Sequence, residues 1–264
     1  MSVAELLDSI PVFVLVLFRL AGMMLFAPLF GSAKIPRRVK GLVALVLAMV
    51  MTTSIHVRHV DLPESIWGLA VGIGCEMAFG LALGMIVSLV FIAAQWAGEI
   101  IGQQMGLNIS EVLDPQFGGG GSLIGDMYFM MAMMVFLSPM VNGHHALIRG
   151  VRMSFDALPL MGVGVNMDVL DMLVGLLQSS AALAVQLAAP MLMTMLIVDL
   201  ALGCIGKAMP QMNVMAMGLS IRAVLGVVVL VLGLQLTGNL LRGIHLGWGQ
   251  EAFNLWSTPQ TVTQ

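Results

Sequence analysis

Long apolar runs alternate with short polar islands along this chain, and that pattern sets its elements. A helix that crosses a membrane needs roughly 20 apolar residues, at about 1.5 Å each, to traverse a hydrocarbon core of about 30 Å. Six windows meet or approach this: residues 10–30, 41–53, 66–97, 127–141, 169–205 and 221–241. The second is short, and the third is long enough to span with tilt or to bend. The fifth holds Pro190, which removes a helical hydrogen bond, so it reads as two helices or one broken helix. The pattern predicts an all-α membrane protein with about six apolar helical segments, some of them broken. Residues 1–256 read as a single integral membrane domain and 257–264 as a short polar tail.

The islands between the runs carry the charge. Residues 31–40 hold Lys34, Arg37, Arg38 and Lys40, and residues 142–168 hold Arg149 and Arg152. Further islands cover 54–65, 98–126 and 206–220, of which 98–126 is the longest. Positive residues beside an apolar segment resist translocation, so the Lys34–Lys40 cluster is expected on the cytoplasmic side, with the N-terminus outside. Alternating six spans from there puts Lys207 inside as well, yet puts Arg58, Arg149, Arg152 and Arg242 outside. Two explanations stay open: a span is miscounted, or the helices do not simply cross the bilayer.

Composition sharpens the class. Hydrophobic residues make up 59% of the chain and charged residues 9%, where a soluble domain carries roughly 25% charged residues. A mean hydropathy of +1.00 agrees. Charges this sparse cannot clothe a water-soluble surface, so lipid or partner helices must cover it. The net charge of −3 and the lack of a basic stripe argue against nucleic acid as a ligand. Cys75 and Cys204 form no metal or redox motif and read as buried free thiols. Glu5 and Asp8 stand where a secretory signal carries positive charge, so the first helix is expected to be retained.

Three ionisable residues fall inside apolar runs: Arg19, Glu76 and Asp199. Each costs about 2.5–3.5 kcal/mol at a helix centre facing lipid on insertion scales, so each is expected to face protein. They serve as buried polar assembly contacts or as parts of an ion relay. Glycines recur at four-residue spacing: Gly68 with Gly72, Gly80 with Gly84, and Gly98 with Gly102 and Gly106. That spacing lets helix backbones approach closely in a membrane. Methionine, with 25 copies, clusters at 127–134, 191–195 and 209–217. Flexible thioether chains fill irregular gaps and re-pack around changing shapes. The last cluster (Met209, Met212, Met215 and Met217) is a candidate deformable seal.

Catalytic constellations are missing from the sequence. His144 and His145 are adjacent and cannot share a helical face as metal ligands. No GxSxG or HExxH occurs, and the GGGGS at 118–122 lacks the lysine of a phosphate-binding loop. No catalytic residue, cofactor or metal is expected.

The residues themselves go further than the pattern. Arg19, Gly22, Pro28, Gly31, Ile35-Pro36 and Arg38 open a series that continues through Gly98-Glu99, Gly102, Gly106 and Asp114-Pro115. Gly143-His144, Leu158-Pro159, Ala189-Pro190, Asp199, Gly203, Pro210-Gln211, Asn213-Val214 and Gly218 complete it. In order, and over nearly the whole chain, this resembles the FliR family of type III secretion export-gate proteins, flagellar and virulence-type. Lys207, Met215 and Ser220 depart from the pattern, standing where arginine, an aromatic and proline are usual.

The resemblance implies a non-catalytic core subunit of the flagellar export gate, in the inner membrane within the basal body. Its implied partners are FliP-like and FliQ-like membrane subunits, other export-apparatus proteins and the unfolded flagellar proteins that pass through. It implies a fold of helical hairpins within a larger helical assembly, lifted largely out of the bilayer plane, which would account for the poor charge bias. In that setting the segment 106–122 reads as a plug loop closing the pore. Open backbone cannot lie in lipid and must line protein or water. Gly106, Leu107, Asn108, Glu111 and Asp114 precede a rigid turn at Pro115, and Phe117 leads into the hinge Gly118, Gly119, Gly120 and Gly121. The alternative reading is a proton-coupled secondary transporter using Glu76 and Asp199.

Overall fold

A computed structural model describes residues 3–28, 35–54, 65–107, 122–161, 167–209, 211 and 214–257. Among these the chain is all helical: α1 (Val3–Phe26), α2 (Arg37–Ser54), α3 (Ile66–Gln104), α4 (Leu123–Leu137), α5 (Gly143–Ala157), α6 (Met167–Ala208) and α7 (Val214–Ser257). The protein is an all-α membrane protein. Ile66–Gln104, Val174–Ala208 and Met217–Gly243 are long and apolar enough to cross a membrane, and Ile10–Phe26 and Leu123–Leu137 are shorter apolar helices.

The apolar windows located the helices, though α3 and α7 run on into stretches that read as polar islands, and two differences go further. The first lies in α6, which is one continuous helix of 42 residues with Pro190 inside it. Proline takes the amide away from the Gln186 carbonyl, yet the apolar run on both sides keeps the helix going. Thr194 donates its hydroxyl to the Pro190 carbonyl at 2.8 Å. The second difference is α5, inside what reads as a polar island. It was hidden because its apolar positions form one narrow stripe, Leu147, Val151 and Phe155, beneath a charged outer face.

Helix length also bears on the charge bias. The 39 residues of α3 extend about 58 Å at 1.5 Å per residue, and α6 and α7, with 42 and 44, are longer still. Each is about twice a hydrocarbon core of about 30 Å, so each extends well beyond what one crossing needs.

The chain forms two compact units. The first comprises Met1–Leu89, Gly143–Leu176 and Gly247–Gln264. Its core is built on α1, whose Val12, Leu15, Val16, Leu20 and Met23 recur at helical spacing and are buried. On α2, Ala44, Ala48 and Met51 face that stripe, the two alanines letting the helices pack closely, and Val151, Phe155 and Leu160 close it. The α1–α3 crossing is tighter still. A Cβ at Gly80 would overlap the Arg19 carbonyl, one at Gly84 the Met23 carbonyl, and one at Gly22 the Met77 carbonyl. Here backbone lies on backbone, which only glycine permits.

The second unit comprises Val90–Asn142 and Leu177–Leu246. Phe91 packs against Phe129 and edge-on against Phe136, with centroids 5.8 and 5.4 Å apart. Gly98 lies against the backbone of Ile124 and Gly125 at the start of α4, where Ser122 caps the helix by accepting from the Gly125 amide at 3.3 Å. Gly226 on α7 meets the Met105 side chain.

The α1–α3 crossing predicts a graded response. Gly80→Leu and Gly22→Leu should collapse the recovery of folded protein and lower its thermal midpoint in detergent. Gly74→Ala should not, because nothing lies within 4 Å of a Cβ there. Equal behaviour of all three variants would contradict close packing.

Candidate functional site: a buried arginine clamp and a half-open ion pair

Arg19 lies midway along the buried stripe of α1 and is fully enclosed, as is Glu76 on α3. Helical spacing puts Arg19 one turn from Leu15, Val16 and Met23, so its side chain has no route to water. The Arg19 Nε donates to Glu76 Oε2 at 2.5 Å. One terminal nitrogen, Nη1, donates to the Ser154 carbonyl at 3.2 Å, and both Nη1 and Nη2 donate to the Leu158 carbonyl at 3.2 Å. The guanidinium carbon sits 4.9 Å from the Phe79 ring centroid and 4.4 Å from that of Phe155, so aromatic faces flank the charge.

Glu76 uses its second oxygen as well, since Oε1 accepts from the Met161 amide at 3.0 Å. Met161 has φ 66°, a left-handed conformation that costs a non-glycine residue about 1–2 kcal/mol. The turn 158–161 is therefore held at both ends, by Arg19 on the Leu158 carbonyl and by Glu76 on the Met161 amide. This cluster ties α1, α3, α5 and the turn after α5 into one piece.

Asp199 behaves differently. The expectation that it is buried does not hold within the chain, for its side chain is 42% exposed. It pairs with Arg222 on α7, Nη2 to Oδ1 at 2.6 Å, and Arg222 is itself 37% exposed. The Arg222 Nε is enclosed and has no hydrogen-bond partner among the described residues. Exposed apolar side chains lie near the pair along both helices: Leu196, Ile197 and Leu200 on α6, and Leu219 and Val224 on α7. Sequence reasoning missed Arg222, although a lone basic residue in an apolar window was the signal. It also missed Ser154, Phe155 and Met161, whose roles depend on pairing across 135 residues or on backbone atoms.

The other expected residues separate. Gly106 ends α3 with φ 73°. Its amide donates to the Gln103 carbonyl at 3.0 Å and the Leu107 amide to the Gly102 carbonyl at 3.1 Å, a helix stop that a left-handed glycine serves best. Leu107 is exposed. Asn108, Glu111, Asp114, Pro115, Phe117 and Gly118 through Gly121 lie outside the described residues. Gly72 abuts the Met161 side chain, Gly102 is buried, and Gly68 is half-buried. Met209 and Met217 are exposed; Met212 and the Met215 side chain lie outside the described residues. Cys75 is half-buried and Cys204 exposed, so the expected burial of both thiols does not hold within the chain. Among the described residues no cluster of three metal-ligating side chains occurs.

The sequence matches the family described as "Bacterial export proteins, family 1" over residues 10–245. The chain belongs to this family of bacterial export proteins. The match to the family spans both of this export protein's compact units. The chain is 30% identical to the flagellar biosynthetic protein FliR of Bacillus subtilis (strain 168) over 244 residues, covering 91% of this chain and 92% of that one. It is 28% identical to FliR of Escherichia coli (strain K12) over 213 residues, 80% and 79% of the two chains. It is 27% identical to the surface presentation of antigens protein SpaR of Shigella sonnei over 235 residues, 87% and 89% of the two.

The clamp in this export protein predicts an order of stabilities. Removing one member of a buried pair leaves an uncompensated charge and costs about 3–5 kcal/mol. Arg19→Ala and Glu76→Ala should each lower the thermal midpoint strongly. Glu76→Gln, which keeps an acceptor for the Met161 amide, should lose less. The double variant Arg19→Met/Glu76→Leu should recover only part of the loss, because the Leu158 carbonyl stays unpaired. Midpoints unchanged in the alanine variants would remove the clamp from the account.

Proposed function

We propose that this chain is a non-catalytic core subunit of a flagellar type III export gate. It forms and gates the pore through which unfolded flagellar proteins leave, working in the inner membrane within the basal body. Its partners are FliP-like and FliQ-like membrane subunits, with other export-apparatus proteins around them. In this reading residues 1–256 are the export-gate domain and 257–264 a polar tail.

One observation carries the reading beyond family membership. Much of the apolar span of α7 is exposed, with Val224, Val231 and Leu232 more than half exposed, and it starts beside the half-open Asp199–Arg222 pair. Lipid covers apolar side chains well but covers an ion pair poorly. A sister subunit covers both. The transporter alternative needs Glu76 and Asp199 to exchange protons freely, whereas an arginine holds each of them.

Co-isolation separates the two readings. A gate subunit should purify in a stable complex with other small polytopic subunits, whereas a transporter should purify alone and move a small solute. Within the gate reading, the segment 106–122 is the plug and Met209, Met212, Met215 and Met217 are its flexible seal. Deleting 106–122 should let the assembled complex leak ions or small solutes. Unchanged permeability in a strain where the deleted complex demonstrably assembles would sink the plug.

Orientation gives a further outcome. A cysteine replacing Ser32, beside Lys34, Arg37, Arg38 and Lys40, should be shielded from an impermeant thiol reagent added outside intact spheroplasts. Ready labelling would reverse the topology.

A further inference from the structure

The outer face of α5 is a charged surface that neither the clamp nor the proposed gate uses. The helix presents one side to the core through Leu147, Val151, Ser154 and Phe155. Arg19, bonded to the Ser154 carbonyl, fixes which side that is. The opposite side carries His145, Arg149, Arg152 and Asp156, all exposed. Positions 145, 149 and 152 follow one another at four and three residues, so their side chains form a single row along the helix.

Arg149 and Arg152 make no ion pair and no hydrogen bond among the described residues. They stand one turn apart, about 5–6 Å between Cβ atoms. Two open guanidinium forks at that distance match phosphate oxygens, which arginine binds bidentately. Asp156 is the lone acid on the row, so the face keeps a positive excess.

What surrounds this face selects the source of phosphate. The five-residue turn Ser138–Asn142 connects α5 directly to the end of the apolar helix α4, so α5 begins where an apolar segment stops. Ile148, on the flank beside Arg152, is 41% exposed. A helix with arginines outward and an apolar side chain at its flank suits the headgroup layer, where the charge meets phosphate and the apolar flank meets the acyl boundary. In open water Ile148 gains nothing, and in the hydrocarbon core both arginines would be stranded.

We propose that the outer face of α5 docks on anionic phospholipid headgroups through Arg149 and Arg152, anchoring the first compact unit at the membrane surface. The contact is independent of what the protein exports. It holds for the chain whether or not the gate reading stands.

The test uses the full-length chain with whatever membrane subunits co-isolate with it, Cys75 and Cys204 replaced by serine, and an NBD fluorophore on His145→Cys. The preparation goes into nanodiscs of phosphatidylcholine with or without phosphatidylglycerol. The fluorophore should emit at shorter wavelength and resist dithionite when phosphatidylglycerol is present. Each of Arg149→Gln and Arg152→Gln should shift the docked-to-free ratio by roughly fivefold, from about 1 kcal/mol per basic residue at an anionic surface. Raised salt should weaken the protection. A second label at Ala146→Cys, also exposed, guards against a local effect of the first. Equal dithionite rates with and without phosphatidylglycerol would overturn the proposal. So would protection that survives both glutamine substitutions, which would mean that a protein surface covers α5.

Discussion

A guanidinium buried without water must find its partners inside the fold, and in this protein that requirement organises the first compact unit. Arg19 is fully enclosed, so the carboxylate of Glu76 and the carbonyls of Ser154 and Leu158 must converge on it. Convergence in turn demands that α1 and α3 touch backbone to backbone at Gly80 and Gly84. It also requires the turn after α5 to curl back until the Met161 amide meets Glu76. The strained φ of Met161 is the local cost of that closure. In a setting where water does not drive helix association, close packing and satisfied polar groups are what hold helices together.

The second unit shows the complementary case, a charge pair left partly open. Asp199 and Arg222 satisfy each other across α6 and α7, yet both keep a surface facing out among exposed leucine, isoleucine and valine. The contrast separates two charge pairs within one chain: one is fully enclosed, and the other stays partly open.

Much of the fold was legible in the sequence because apolar length is a strong signal. The windows at 66–97 and 221–241 fall within α3 and α7, although both helices run on into residues that read as polar islands. Two elements escaped for physical reasons. The outer arginines and small residues of α5 dilute its apolar stripe, so hydropathy alone reads a loop. Pro190 signals a break, but a proline with apolar helix on both sides bends the accounting of one hydrogen bond without ending the helix. Of the site, Arg19 and Glu76 were visible as charges in apolar runs, but their mutual pairing was not, because 57 residues separate them. Asp199 was expected to be buried because it falls in an apolar run, and its partner, Arg222, at the edge of its own apolar window, was not counted.

In the proposed gate reading, sister subunits cover α7 and the open ion pair. Site-specific photo-crosslinking measures this most directly. A photoreactive residue at Leu232, 76% exposed on α7, would be introduced into a chain that still supports flagellar export in cells. The account predicts a discrete adduct with an identified small polytopic membrane subunit, lost when Arg222→Ala and Asp199→Ala are combined. Crosslinking to lipid alone, in cells where export is intact, would contradict it.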